Sequence, residues 1–180
     1  MLKILSAPNP VLSGETKSIS KIDKDILDFI EGMKESLENA TDPVGVGLAA
    51  PQVGRSLKIF IAKPSVKSKI SVFINPKIIK KTSLQNTKNG EKIKKLEGCL
   101  SLPDIWGEVS RYDEISLEFL NENGIVHNKK FKGFLATIIQ HEIDHLNGVL
   151  FPKRVLEQKG TLYKSEKDEK GQDVFEELKI

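Results

Sequence analysis

Apolar residues fall at Ile22, Ile26, Leu27, Ile30, Met33 and Leu37, a spacing that predicts an amphipathic helix. Ser20, with Asp23 three residues on, offers the N-terminal cap, and "NATDP" ends the helix. The next stretch, "VGVGLAAPQVG" (44–54), carries three glycines and a proline. It predicts a loop or a bulged edge rather than a helix. Strand-like runs follow in "LKIFIA" from Leu57, "ISVFINP" from Ile70 and "PKIIKKT" from Pro76. The pattern is extended again around "EGCLSLP" (97–103), and "ISLEFL" and "IVHNKKF" flank a hairpin turn at "NENG". Helical period returns in "GFLATIIQHEIDHLNG", at Phe134, Leu135, Ile138, Ile139, Ile143 and Leu146, with Gly148 as the terminating residue. The tail, 157–180, alternates on either side of "EKGQ" and predicts a terminal β-hairpin. The fold class expected is α+β: short antiparallel strands around a central helix that carries HEIDH.

Composition narrows the class. The chain has 180 residues, 38% hydrophobic and 29% charged, enough for a single domain over 1–180 and too few for two. Its net charge is +3, and the longest basic run, Lys88 to Lys95, is not interleaved with aromatics. A lysine-rich solvated surface explains this better than DNA binding. No apolar run reaches the roughly 20 residues of a membrane span. With no signal-like segment and one cysteine, the expectation is a cytoplasmic protein without disulfides or a membrane anchor.

"HEIDH" (141–145) carries the chemistry. Residues four apart lie on one helical face, so His141 and His145 can aim two imidazoles at one metal ion. Glu142 is rotated away and can stand beside the ion as a general base. A catalytic metal needs a third protein ligand. Position 151, where one metalloprotease class has its third histidine, is Phe151. Glu157 and Glu166 lie in the polar tail, and His127 lies in a strand that reads as exposed. Cys99 remains, preceded by a glycine that permits close approach. Two imidazoles and a thiolate suit Fe(II), Zn(II), Co(II) or Ni(II) rather than Mg(II) or Ca(II).

Three segments, "GVGLAAPQ" (45–52), "EGCLS" (97–101) and "HEIDH" (141–145), resemble in order and spacing the three signature motifs of the peptide deformylases. "APNPVL" near the start is similar to that family's N-terminal stretch, and the resemblance covers about residues 4 to 152. It implies removal of the N-formyl group from the initiator methionine of nascent polypeptides, with release of formate. Cys99, His141 and His145 would hold one divalent metal ion, Fe(II) being the expected one. Glu142 would take a proton from the metal's water and deliver it to the leaving amine. Gln52 and the Leu100 N–H would stabilise the oxyanion. Val46, Phe134 and Ile138 are candidates for the methionine pocket, and Gly45 and Gly47 for backbone pairing with the peptide. Asp144 is expected to pair with Arg111 behind the site, and Trp106 to stand at the rim. Formyl-methionyl nascent peptides are the expected partners, with a transient ribosome contact. The tail departs from many bacterial members, which look helical there. An HExxH endopeptidase and a non-catalytic binding module are the rival readings; the first lacks a downstream ligand, and the second does not need Glu142.

Overall fold

The computed structural model describes residues 1–41, 43–82, 87, 88, 91, 92 and 95–179. Residues 89, 90, 93 and 94 of the basic run from Lys88 to Lys95 therefore lie outside the described residues. Helix α1 spans Lys24–Glu38 and α2 spans Gly133–Leu146. Strands β1 (Gly47–Ala49), β2 (Ile59–Ala62), β3 (Ser71–Lys81), β8 (Glu114–Leu120) and β9 (Val126–Lys132) form one antiparallel sheet in the order β1-β2-β3-β8-β9. Strands β6 (Lys95–Cys99), β7 (Leu102–Val109), β10 (Leu162–Lys167) and β11 (Asp173–Glu177) form a second, ordered β11-β10-β7-β6. Two short strands, β4 (Thr87–Lys88) and β5 (Glu91–Lys92), pair with each other. A third helix, α3, spans Phe151–Glu157.

Successive residues of a strand point to opposite faces, and β2 shows the consequence. Ile59 and Ile61 enter a core cluster with Ile26, Ile30, Met33 and Leu37 of α1. Phe60 and Ala62 enter another with Ala136, Ile138, Ile139 and Leu146 of α2. The five-stranded sheet thus lies between the two helices, and β2 is buried along its whole length, which is why its sequence is a continuous apolar run. Phe60 and Phe73 stack at 4.5 Å on the α2 side. A smaller cluster joins Cys99 and Val109 to Phe151 and Val155 of α3 and to Leu162.

Two local expectations are corrected. The cap of α1 is Asp23, whose side chain accepts from the Ile26 N–H at 3.2 Å, not Ser20. Ser71–Lys81 form one strand, not two. Asn75 adopts φ 49° and exchanges two 2.8 Å bonds with the Ile19 backbone, and the irregularity between Ile74 and Lys77 absorbs Pro76 within the strand. The 44–54 stretch, expected as a loop or a bulged edge, holds the edge strand β1 and a 3-10 turn, Ala50–Val53. Helix α3, with a proline in its first turn, forms where the hydrophobic pattern predicts no element. In the tail, β10 and β11 pair antiparallel from Tyr163↔Glu177 to Lys167↔Asp173.

The N-terminal segment ties the site's loops together. The Leu5 N–H donates to the Gln52 carbonyl and the Ala7 N–H to the Ser101 carbonyl, both at 2.8 Å. The Thr16 hydroxyl caps the end of α2 through the Leu146 carbonyl at 2.6 Å. Among the described residues no helix is long and apolar enough to cross a membrane.

Candidate metal centre

Cys99 ends β6, and His141 and His145 lie one turn apart on α2. Their ligand atoms, one per residue, all lie within 4.8 Å of one another, and Cys99 Sγ is 3.2 Å from His145 Nε2. Ligand bonds of about 2.1–2.3 Å in a tetrahedron place donors roughly 3.5 Å apart, so the three fit a metal ion without large movement. Among the described residues, Glu142 Oε2, beside the trio, and His145 Nδ1, the ring nitrogen that does not face Cys99, are the buried side-chain polar atoms that lack a hydrogen-bond partner. Polar groups left so in a core are costly unless something else engages them.

The residues around the trio fix its geometry. His141 Nδ1 lies 3.1 Å from Glu97 Oε2, leaving Nε2 for the centre. Arg111 holds both oxygens of Glu97 at 2.8 Å and reaches Asp144 at 2.6 Å. Arg154 of α3 grips the other side of Asp144 at 2.7 Å. The expected pairing of Asp144 with Arg111 is therefore present, as one link of a longer chain of charges. Burial alone would raise the Glu97 carboxyl, but its bonds and charge interaction with Arg111, aided by His141, outweigh this and hold it at about 2. Burial pushes the Glu142 carboxyl up to about 7; His141 pulls against this and Glu97 adds to it. The two imidazoles diverge. Burial disfavours the cation at both, yet bonds to Cys99 and Glu97 raise His141 well above the usual histidine range, while His145, beside cationic His141, falls well below it.

A cavity of about 240 Å³ opens onto this group. Its walls include Gln52, Leu100, Cys99, His141 and Glu142 together with Gly45, Val46, Gly47, Phe134 and Ile138; His145 is buried beneath. Gln52 is held by its Oε1, which accepts from the Ala49 N–H at 2.8 Å. Its Nε2 points to Cys99 Sγ at 3.5 Å and to the Ser101 hydroxyl at 3.2 Å. Leu100 sits in the turn between β6 and β7 and packs against the α1 cluster. Gly47 has a steric reason to be glycine: a Cβ there would meet Glu142 Oε1 at 2.3 Å and Ile138 Cγ2 at 2.9 Å. Of the Gly45 backbone groups, the N–H already donates to the Ala40 carbonyl at 2.9 Å. Phe134 is half exposed at the mouth, and Ile138 is buried within the α2 cluster.

Other residues fall outside the site. His127 stacks on Phe119 at 5.4 Å in β9. Glu157 pairs with Arg154 at 2.9 Å. Phe151, where a third histidine would stand in another metalloenzyme class, is buried with its ring facing that of His141 at 6.1 Å. Sequence reasoning missed the roles of Glu97 and Arg154. The first had a signal: Glu97 lies two residues before Cys99 on one strand face. Arg154 had none.

With this geometry in view, comparison with known proteins is specific. A family model described as "Polypeptide deformylase" matches residues 1–161. A peptide deformylase of Desulfotalea psychrophila is 36% identical over 168 residues, covering 91% of this chain and 93% of the relative. The crystal structure of the Thermotoga maritima peptide deformylase superposes with a TM-score of 0.74 at 35% identity, over 86% of this chain and 97% of the other. That of Synechococcus elongatus, in complex with actinonin, gives 0.76 at 35% identity, over 86% and 78%. Motif order, a mixed α/β architecture with antiparallel sheets, and similarity over most of the length agree: the chain belongs to the peptide deformylase family.

Proposed function

We propose that residues 1–180 act as one catalytic domain that hydrolyses the N-formyl group from the initiator methionine of nascent polypeptides, releasing formate. In this reading α2 is the central helix, and Cys99, His141 and His145 hold one divalent metal, Fe(II) first and Zn(II), Ni(II) or Co(II) as alternatives. When bound, that ion supplies Lewis acidity, lowering the pKa of a water and polarising the formyl carbonyl. Glu142 takes the proton of the attacking water on its carboxylate and passes it to the leaving amine, so that water is added across the amide bond. Gln52 Nε2 and the Leu100 N–H donate to the formyl oxygen as its charge develops. Val46, Phe134 and Ile138 receive the methionine side chain. The outer edge of β1, unpaired in its sheet, accepts the peptide backbone at Gly47 by strand addition. Arg111 and Asp144 act through Glu97 and the helix, as positioning residues. The expected place of work is the cytoplasm, with transient ribosome contact as chains emerge.

The observation that carries this reading is the buried, partnerless Oε2 of Glu142 in the wall of a cavity shared with the metal-competent trio. Mass analysis of products from formyl-Met-Ala-Ser, with the metallated protein, tests it. The expected products are formate and an intact Met-Ala-Ser; cleavage between residues would instead make the protein an endopeptidase. Gly47→Ala, whose new methyl must displace Glu142, is expected to lower kcat/KM about a hundredfold, the scale of a 1 Å misplacement at a reacting centre. Unchanged kinetics in that variant would remove Glu142 from the chemistry.

A further inference from the structure

Arg111 stands between two strands: β7 ends at Val109 and β8 begins at Glu114. A side-chain amide grips the backbone on either side of it. Before it, the Ser110 N–H donates to Gln158 Oε1 at 2.7 Å, and Gln158 Nε2 donates to the Ser110 carbonyl at 3.1 Å. After it, the Tyr112 N–H donates to Gln140 Oε1 at 3.0 Å, and Gln140 Nε2 donates to the Tyr112 carbonyl at 2.9 Å. An amide that meets an N–H and a carbonyl together satisfies both in one orientation only, so each pairing fixes the residue it holds. Gln140 is buried and also donates to the Ala136 carbonyl at 2.8 Å. Gln158 caps the C-terminal end of α3 and is exposed. Helices α2 and α3 thus each hold one end of the short stretch centred on Arg111.

We propose that Gln140 and Gln158 are positioning residues for the metal centre, acting through Arg111. The inference rests on the reading of Cys99, His141 and His145 as metal ligands given above. The Arg111 guanidinium is a rigid fork. Two of its nitrogens meet the two oxygens of Glu97, both at 2.8 Å, and the third reaches Asp144 at 2.6 Å. Such a fork meets all of these oxygens at once only if its Cα is correctly placed, and that placement comes from Ser110 and Tyr112. Glu97 in turn aligns His141 Nδ1 at 3.1 Å. A slack Arg111 therefore loosens Glu97 first and the imidazole with it. Gln140 directly precedes His141, but it lies about 100° round the helix from it, and its bonds run to Tyr112 and Ala136. Its influence on the ligand passes through the β7–β8 connection.

The test uses full-length protein loaded with cobalt(II) and measures how fast a chelator strips the ion, followed by loss of the visible absorption of the bound metal. Gln140→Met keeps the length of the side chain and removes its hydrogen bonds. It is expected to release the ion about tenfold faster than wild type, the lower end of what misaligning a ligand's partner costs in affinity. Gln158→Ala, whose bonds are open to solvent, should release it roughly threefold faster. The same two substitutions are then made in Arg111→Lys, which has already lost the two-pronged hold. There each should add less than about twofold, because residues that act through one another are not additive. A mere loss of fold stability would speed release in both backgrounds alike. Gln158 is exposed, so its variant keeps the fold and decides the question where Gln140→Met does not purify. Release at the wild-type rate from the glutamine variants, or increments as large in Arg111→Lys as in wild type, overturns the proposal. Wild type that takes up no cobalt(II) overturns the metal reading instead.

Discussion

Replacing Glu142 by glutamine is expected to lower formate release by about a thousandfold, within the range that a positioned acid–base group contributes. The side chain is nearly isosteric, and the site has been built around its shape. Gly47 gives way to it sterically, and Glu142 lines the cavity with its Oε2 buried and without a hydrogen-bond partner among the described residues. Glutamine keeps that shape and loses only the ability to take and return a proton. Metal content should stay at the wild-type level, because Cys99, His141 and His145 are unchanged. Substrate affinity should also hold, so the loss should appear in kcat rather than KM. Measuring metal stoichiometry beside kcat separates this from a mere loss of the ion. A metallated Glu142→Gln protein with near wild-type turnover would show that another group moves the proton.

Replacing Arg111 by methionine is expected to destabilise the fold by about 3–5 kcal/mol, the usual cost of removing one partner from a buried ion pair. The guanidinium is 6% exposed and sits between Glu97 and Asp144. Burial works against its charge, but the two carboxylates raise its pKa well above the usual value. Asp144 would keep Arg154, so the cost falls on Glu97, left ionised or forced to take up a proton. The melting temperature should drop by about 10 °C for a chain of this length. His141 loses its orientation in the same step, since Glu97 aligns its Nδ1, and metal affinity should fall with stability. Arg111→Lys restores a charge without the two-pronged geometry and should recover only part of both. A stability change below about 1 kcal/mol would mean that the charges are held some other way. Denaturant midpoints at unchanged slope give the measurement.

The chemistry was legible in the sequence because it depends on short periods. His141 and His145 share a helix face through spacing alone, and Gln52 and Cys99 sit in motifs whose glycines mark close approach. The residues proposed for the site border one cavity, except His145, which the cavity does not reach. The supporting structure was less legible, for reasons that differ from place to place. Ser20 and Asp23 cap equally well in isolation. The choice of Asp23 follows from Ile19 and Ile22 packing onto the α1 cluster, a tertiary matter. Pro76 reads as a strand end, yet Asn75 accepts a left-handed φ and side-chain bonds to Ile19, and the strand continues through it. Helix α3 is seven residues long, too short to show a period, and its only local mark is Pro152. Arg154 therefore had no sequence signal linking it to Asp144, ten residues away across a turn. The bond from the Gly45 N–H to the Ala40 carbonyl is visible only once α1 and the following turn are in place.

The most direct test of the account is a metal titration of the apoprotein, prepared without oxygen and followed by formate release from formyl-Met-Ala-Ser. Iron(II) is added first, and nickel(II) serves as an air-stable comparison. The account predicts activity that rises linearly and saturates at one ion per chain, and that is absent from Cys99→Ala, whose trio is incomplete. Full occupancy of the wild-type protein by either ion without formate would contradict it.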